Sequence, residues 1–515
     1  DDAHNTNVNG RIDYRPFSKT SISGRIYVSD AFVKLNSSPD TIGTLPTSST
    51  TIVRAVPLSP SELNRYANRI PISQLNRGNA NFIPDTNDPD NFQKSQFFNG
   101  QLVLNQIITD RLNFSATYQG LKTSRKNTNG VLGIGFQPFG GAQTSVFDGQ
   151  IHTLNTHFNW TPNSNNLITA GYEYEWEKFG NDGISANNTD NFTTRARQRS
   201  NTFYVQDLLG FFNDKLQISG GFRAQFFSLE TPAFSASILP ARFKNPNSPP
   251  NSYTYDGSIS YFLKSTGTKI RAHVGNGYRV PSLYERFGSF FFLGGFTFIG
   301  NPDLKPERSI AFDGGIDQTL LQSRVKLSAT YFYTRIKDEI TYLPTDDFNG
   351  AAYYNYDRHF SRGGEFSAKI LPTNSTNLFL SYTYTNSDVR NFRRLTFLPP
   401  TTVVSIDRKS YGVPDHQFTV VVTQRIKRLT VSFDFLATSD YLAPIFSNTT
   451  FQTYVYRFGG NRKADLTASY EIPTNNEKLR FRLFGTIENL FDYDYYENGF
   501  RTAGRTARAG LSLSF

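Results

Sequence analysis

The chain is 515 residues long, carries a formal net charge of +10 and contains neither cysteine nor methionine, which excludes a disulfide framework, a thiolate metal site and a thiol nucleophile. Its Lys and Arg are dispersed, with no basic run of the kind that marks a nucleic-acid patch, so no nucleic-acid partner is expected. Aromatics supply 15% of the residues, yet mean hydropathy is −0.45 and no apolar run approaches the roughly 20 residues of a membrane helix.

Many aromatics at low mean hydropathy suit strands that are apolar on one face and polar on the other. From a first strand near residues 5–15 to a last at 505–515, segments of roughly ten residues alternate with period two, the length of a tilted membrane strand. Tyr172, Tyr174 and Trp176 share one face, and Glu173 and Glu175 the other. Leu327, Ala329, Tyr331 and Tyr333 oppose Lys326, Ser328, Thr330 and Thr334. Further on, Leu429, Val431, Phe433 and Phe435 oppose Thr430, Ser432 and Asp434. Ala464, Leu466, Ala468, Tyr470 and Ile472 oppose Asp465, Thr467, Ser469 and Glu471. Leu479, Phe481, Leu483 and Ile487 oppose Arg480, Arg482, Thr486 and Glu488. The last segment sets Ala507, Ala509, Leu511, Leu513 and Phe515 against Thr506, Arg508, Gly510, Ser512 and Ser514. Repetition over the whole length, with no helical stretch between, predicts an all-β fold: one antiparallel sheet closed as a transmembrane β-barrel of the outer-membrane type.

The connections alternate as well. Short polar turns are expected at Pro16–Thr20, Thr109–Arg111, Thr161–Asn165, Asn213–Lys215, Ser265–Thr268, Gln322–Ser323, Pro372–Thr376, Lys427 and Pro473–Glu477. Long loops are expected over 34–95, 123–149, 178–197, 229–252, 279–308, 387–414, 439–460 and 491–504. Short turns on one rim and long loops on the other is the plan of such barrels. The count is about 19 strands, with the first and last both running toward the periplasm. Bacterial barrels usually have an even number. The odd count and the missing initiator methionine predict an N-terminal truncation inside the barrel. Tyr172, Tyr174 and Trp176, Tyr331 and Tyr333, and Tyr382 and Tyr384 cluster near one rim, as an interfacial aromatic belt would.

Two stretches go beyond architecture. The first runs Gly277-Tyr278-Arg279-Val280-Pro281-Ser282-Leu283-Tyr284-Glu285-Arg286-Phe287, then Gly300-Asn301-Pro302-Asp303-Leu304-Lys305-Pro306-Glu307-Arg308-Ser309. The second is Glu488-Asn489-Leu490-Phe491-Asp492-Tyr493-Asp494-Tyr495-Tyr496, followed by Gly504-Arg505-Thr506 and the terminal Phe515. The first resembles the aromatic-Arg-x-Pro and Asn-Pro-x-Leu-x-Pro-Glu boxes of TonB-dependent outer-membrane receptors, and the second resembles the last hairpin of that family. The resemblance implies energy-coupled uptake of a scarce, bulky nutrient through a 22-stranded barrel filled by a plug. It implies the TonB–ExbB–ExbD complex as partner, acting on a coupling box. The strands here would be four to 22, with plug, box and three strands upstream. Haem receptors place a histidine between the two boxes, and Ser282–Gly300 contains none.

On the residues themselves, Pro281, Pro302 and Pro306 cannot donate to a ladder, so they end strands and stiffen a loop. Arg279, Glu285, Arg286 and Glu307 are expected to form ion pairs that hold this loop over the lumen. Parity turns Glu173, Glu175, Arg223, Asp256, Arg271, Asp313, Asp317, Lys326, Arg480, Arg482 and Glu488 inward, where water or a plug relieves the cost of burying charge. His157 and His273 also point inward and His152 outward; no histidine pair has metal-ligand spacing on one face. Glu173 and Glu175 could pass for an acid–base pair, but no apolar pocket separates them, so no catalysis and no cofactor are expected.

Ligand contact is assigned to outer loops rich in Tyr and Arg: Tyr284, Arg286, Tyr353, Tyr354, Arg358, Arg390, Arg393, Arg394, Tyr441 and Tyr496. Arginine suits carboxylate or catecholate oxygens and Tyr supplies flat area with a hydroxyl, which favours an anionic ferric siderophore. Lipopolysaccharide phosphates are the other candidate for each arginine, and outer-membrane lipid is a partner in either case. The competing functions are a cobalamin receptor, a passive porin-like channel, and a soluble all-β adhesion protein with a dry core.

Overall fold

The computed structural model describes residues 3–43, 51–133, 142–186, 191–236, 239–292, 295–342, 353–395, 403–450, 452–474 and 479–514, without the side chains of 292, 295, 391–395 and 403–406. Nineteen long strands form one meandering antiparallel sheet, each hydrogen-bonded to the next in sequence. They are β1 Ala3–Phe17, β2 Thr20–Asn36, β3 Asn87–Thr109, β4 Leu112–Asn129, β5 Gln143–Asn163, β6 Asn166–Ser185 and β7 Phe192–Phe211. Then follow β8 Leu216–Leu229, β9 Ser252–Leu263, β10 Thr268–Arg279, β11 Glu307–Leu320, β12 Val325–Lys337, β13 Arg358–Thr373 and β14 Thr376–Leu395. The last five are β15 His416–Ile426, β16 Leu429–Thr438, β17 Arg462–Ile472, β18 Arg480–Glu488 and β19 Thr506–Ser514. Two short extra strands, Ala233–Phe234 and Val403–Lys409, extend the same sheet beside β7 and β14. Among the described residues β1 pairs only with β2 and β19 only with β18, and these two edge strands run in the same direction.

The faces of the sheet are set by side-chain alternation. Phe366 is 55% exposed, Leu483 52%, Leu511 62% and Tyr331 51%, so the apolar face looks out of the wall. A soluble sandwich would press these residues together in a dry centre. Here the buried apolar clusters sit instead at the long-loop rim. Ile42, Leu58, Tyr66 and Ile83 form one, around the helix α1 Pro60–Ala67. Phe82, Ala443, Ile445, Tyr456 and Phe458 form a second. Ala196, Phe243, Leu283 and Phe287 form a third, around the helix α2 Leu283–Phe287.

The short turns fall where expected, except that residues 475–477 of one lie outside the described residues, as does Phe515. Two turns hold three consecutive residues in the left-handed region: Phe212, Asn213 and Asp214, and Leu321, Gln322 and Ser323. The long loops differ in two ways. Strands run further than ten residues; β3 has 23 and β5 has 21. Segments such as Lys122–Asn127 are polar on both faces, so alternation vanishes although pairing continues beyond the lipid. The stretch 338–357 is also a long loop, missing from the eight expected. It carries a hairpin of Ile340–Tyr342 with Tyr353–Asn355, and so holds Tyr353 and Tyr354, which the sequence assigns to an outer loop without giving that loop bounds.

Loops from the two ends of the sheet meet. Ile52–Arg54, from the loop after β2, runs parallel to Val455–Arg457, from the loop after β16. Thr41 donates from Oγ1 to Ser447 Oγ at 2.8 Å, and Asn448 donates to the Asp40 carboxylate from N and Nδ2, each at 3.1 Å. The sheet therefore curls until its ends are bridged at this rim.

Candidate functional site at the long-loop rim

The two motif boxes lie on neighbouring strand ends. Arg279 closes β10, Glu307 opens β11, and the two are cross-strand partners. Arg279 donates from Nε and Nη2 to the two Glu307 carboxylate oxygens at 2.7 Å each, and from Nη1 to Glu285 at 3.0 and 3.1 Å. Glu285 also accepts from Ser282 N, completing the capping box that starts α2, and Glu307 accepts from Ile340 N. Glu307 first, and Glu285 with it, hold the Arg279 pKa above its ordinary value. Asn301 joins this brace to loop 338–357, donating from Nδ2 to Tyr353 O at 3.1 Å. Pro281, Pro302, Leu304 and Pro306 are buried beneath it.

Arg286 departs from expectation. Among the described residues it forms no ion pair, and it is 3% exposed, so it offers no surface for a ligand. Its Nη2 donates to the carbonyls of Asn247 and Pro302 at 2.6 and 3.0 Å, and its guanidinium lies over the Phe287 ring. Nε and Nη1 find no partner among the described residues, and burial lowers the pKa to about 10.

Inside the rim, aromatic side chains from four segments converge. The Tyr284 ring meets Phe147 at 5.5 Å, Phe179 at 5.9 Å and Tyr353 at 6.2 Å, and Tyr353 meets Tyr342 at 5.3 Å. Arg125 lies 4.7 Å over the Phe147 ring. Burial raises the phenol pKa of Tyr284 and lifts that of Tyr353 to about 12. Tyr284 and Tyr353 were singled out from sequence; Arg125, Phe147, Phe179 and Tyr342 were not. Phe179 shares the parity of Glu173 and Glu175, so running the inward face four residues further would have found it. Tyr354 pairs with Thr341 in the hairpin of loop 338–357.

The other loop candidates go elsewhere. Tyr441 stacks on Phe458 at 5.7 Å, and Tyr496 meets Phe82 at 5.5 Å, so both belong to the loop core described above. Burial pushes Tyr496 up to about 12. Arg358 and Arg390 are cross-strand partners on the face that carries Phe366 and Tyr382, which is the outward face. The side chains of Arg393 and Arg394 lie outside the described residues. In the second motif, Asn489 has φ 51° and is 1% exposed; its amide group donates to Tyr493 O and accepts from Tyr493 N. Asn suits this left-handed corner because its short side chain closes the turn locally. Leu490 N donates to Ala464 O, and Phe491 is exposed.

Below the rim the inward charges pair across strands. Arg223 reaches Glu173 at 2.7 Å; Glu173 accepts from Asn155, and Asn155 from Tyr204. Tyr204 lies over Gly171, where a Cβ would collide with its ring. Arg271 contacts Asp317 at 3.2 Å and Asp313 at 3.8 Å, and His273 Nδ1 lies 3.3 Å from Asp313. Glu488 meets Arg508 at 3.0 Å, and Arg482 lies over the Phe484 ring. Register puts Glu175 beside Glu173, Asp256 opposite Gly221, and Lys326 opposite Lys369, on that same face as Arg480. Among the described residues no three His, Asp or Glu side chains are arranged to hold a metal ion.

A family model described as TonB dependent receptor-like, beta-barrel matches residues 31–490. Solved structures agree in fold. The siderophore receptor PiuA from Acinetobacter baumannii is 16% identical with a TM-score of 0.71, over 100% of this chain and 74% of that one. The copper transporter OprC is 14% identical with a TM-score of 0.69, over 100% and 72%. The ferripyoverdine receptor of Pseudomonas aeruginosa is 13% identical with a TM-score of 0.68, over 99% and 64%.

Proposed function

Because this chain belongs to the TonB-dependent receptor-like β-barrel family, we propose that it forms the wall and outer mouth of a receptor that imports a ferric siderophore across the bacterial outer membrane, driven by the TonB–ExbB–ExbD complex. The carrying observation is the inward cluster of Tyr284, Tyr342, Tyr353, Phe147 and Phe179 with Arg125 at its edge. Flat rings give contact area to an aryl chelate at low entropic cost, and a guanidinium complements anionic oxygens. The siderophore receptors among the similar structures agree with this cargo, and the copper transporter shows that the fold alone does not select it.

The receptor acts by binding and passage, without covalent chemistry. One constellation resembles hydrolytic machinery. His359 Nε2 lies 2.8 Å from Ser387 Oγ and 2.9 Å from Ser410 Oγ, and its Nδ1 lies 2.9 Å from Glu339 without hydrogen-bond alignment. A Ser–His–Glu hydrolase would look similar. Both hydroxyls are buried, at 3% and 6% exposure, which leaves a substrate carbonyl no approach. The network ties β13 to β14 and to Ser410.

The experiment is growth of strains limited in turn for iron, cobalamin or copper, each carrying the full-length receptor, on defined ferric chelates, cobalamin and copper respectively. Rescue by one class of ferric chelate is expected, with Tyr284→Ala and Tyr353→Ala each weakening chelate binding by about tenfold. Rescue by cobalamin or copper alone would end the siderophore reading.

A further inference from the structure

One row below the aromatic cluster the inward face of β6 turns acidic. Glu173, Glu175 and Glu177 follow one another on the face that continues into Phe179. The lowest is satisfied, since Glu173 holds Arg223 at 2.7 Å and accepts from Asn155. The upper two are not. Arg197 and Arg199 are close in sequence to the strand partners of these carboxylates, but they stand on the other face and pair there with Glu230, at 3.5 and 2.6 Å. Among the described residues neither Glu175 nor Glu177 forms an ion pair, and no donor reaches the Glu177 carboxylate.

A second observation comes from the neighbouring strand. Gln198 of β7 is the cross-strand partner of Glu177 and stands on the same inward face. It is 9% exposed, and its Oε1 is buried with no partner among the described residues. An amide oxygen cut off from water without a donor costs free energy, and a carboxylate in a shielded place costs more. On the other side Ile151 of β5 faces Glu177 and offers nothing polar. One row down, the Ser200 hydroxyl is already engaged, accepting from Gln225 Nε2 at 3.2 Å. The wall here presents two carboxylates and an amide oxygen, all acceptors, with no cation between them.

The spacing to the rings above is short. Glu177 lies two residues below Phe179, about 7 Å along the strand. Phe147, which carries Arg125 over its ring, is the partner of Asn181, so this edge of the cluster stands about 13 Å above Glu177. A single elongated molecule can meet the guanidinium, the rings and the acceptors together.

We propose that Glu177, with Glu175 and Gln198, forms a subsite for a protonated amine carried by the imported chelate. The cargo is then dipolar, with anionic metal-binding oxygens toward Arg125, aryl groups on the rings, and an ammonium arm about 13 Å away. This rests on the siderophore reading and narrows it to amine-bearing aryl chelates. An ammonium has three donors and no acceptor, which matches three acceptor groups one for one. A chelate that is anionic throughout is repelled by the same carboxylates.

The test measures binding to the full-length receptor in detergent by isothermal titration calorimetry. The probes are two synthetic ferric tris-catecholates, one with a free aminoalkyl arm and the other with that amine acetylated. Wild type should bind the free amine at least about tenfold more tightly. Glu177→Gln, with its fold checked by heat-modifiable gel mobility, should bring that ratio to about twofold or less. If this variant does not fold, Gln198→Leu, which removes an acceptor and no charge, must lower the ratio by at least about threefold. Equal binding of the two probes by wild type would overturn the subsite and leave the siderophore reading standing; it is the result expected if another segment of the protein already supplies the cation. An undiminished ratio in the folded variant would overturn it as well. Binding of neither probe would remove the siderophore reading, and the subsite with it.

Discussion

Single side chains at the rim are tuned by burial more than by partners. Tyr353 and Tyr284 are held neutral because their surroundings disfavour phenolate, Tyr353 up to about 12. A phenol whose folded pKa is raised contributes stability that is complete below the ordinary value near 10 and is lost as pH climbs through the folded value. Loop 338–357 should therefore loosen between about pH 10 and 12. Ultraviolet difference titration should show a group of late-ionising phenols that Tyr353→Phe reduces by one; ionisation of all phenols near pH 10, or an unchanged late group in the variant, would refute this. Arg279 makes a complementary case. Arg279→Lys keeps the charge but cannot span Glu285 and Glu307 together. Faster amide exchange at Ser282–Phe287 is expected, with the exchange of wall strands unchanged. Sequence reading paired Arg279 with these carboxylates because they flank one loop. It could not see that Arg286, one residue past Glu285, turns over the Phe287 ring and onto the Asn247 carbonyl, because that depends on a loop some forty residues upstream.

For whole strands, alternation is both the fold signal and the stability rule. Leu511 and Leu513 against Ser512 and Ser514 could be read directly, since one side meets lipid and the other a polar bore. Adjacent residues of β13 should then respond oppositely to the same change. Phe366→Arg places a cation on the lipid face and should cost about 2–4 kcal/mol if it lies near mid-membrane. Ser367→Arg places it inside and should cost little. Urea titration of the protein in lipid vesicles measures both; equal costs would contradict the assigned faces. Legibility fails where the rule stops applying. In Lys122–Asn127 both faces are wet, so nothing alternates and a paired strand reads as loop. Arg358 and Arg390 were placed by their nearness to loops, and only the register showed that they look outward.

The whole molecule holds its dry packing at one end. The wall has an apolar outside, and the buried clusters lie in loops drawn from distant parts of the chain. Replacing Thr41 and Ser447 together by cysteine in this cysteine-free chain should give a single oxidisable pair bridging the ends of the sheet. A mobility shift reversed by reductant, in protein that still folds, is expected; free thiols after oxidation would show that these loops do not meet. No local pattern announced this contact, because partners some 400 residues apart leave no periodicity. The same separation orders events in time. Asp40 can find Asn448, and Ile52–Arg54 can find Val455–Arg457, only after nearly every hairpin between them has been laid down. The mouth is thus the last part to be built, and a half-inserted molecule presents no finished receptor to its surroundings.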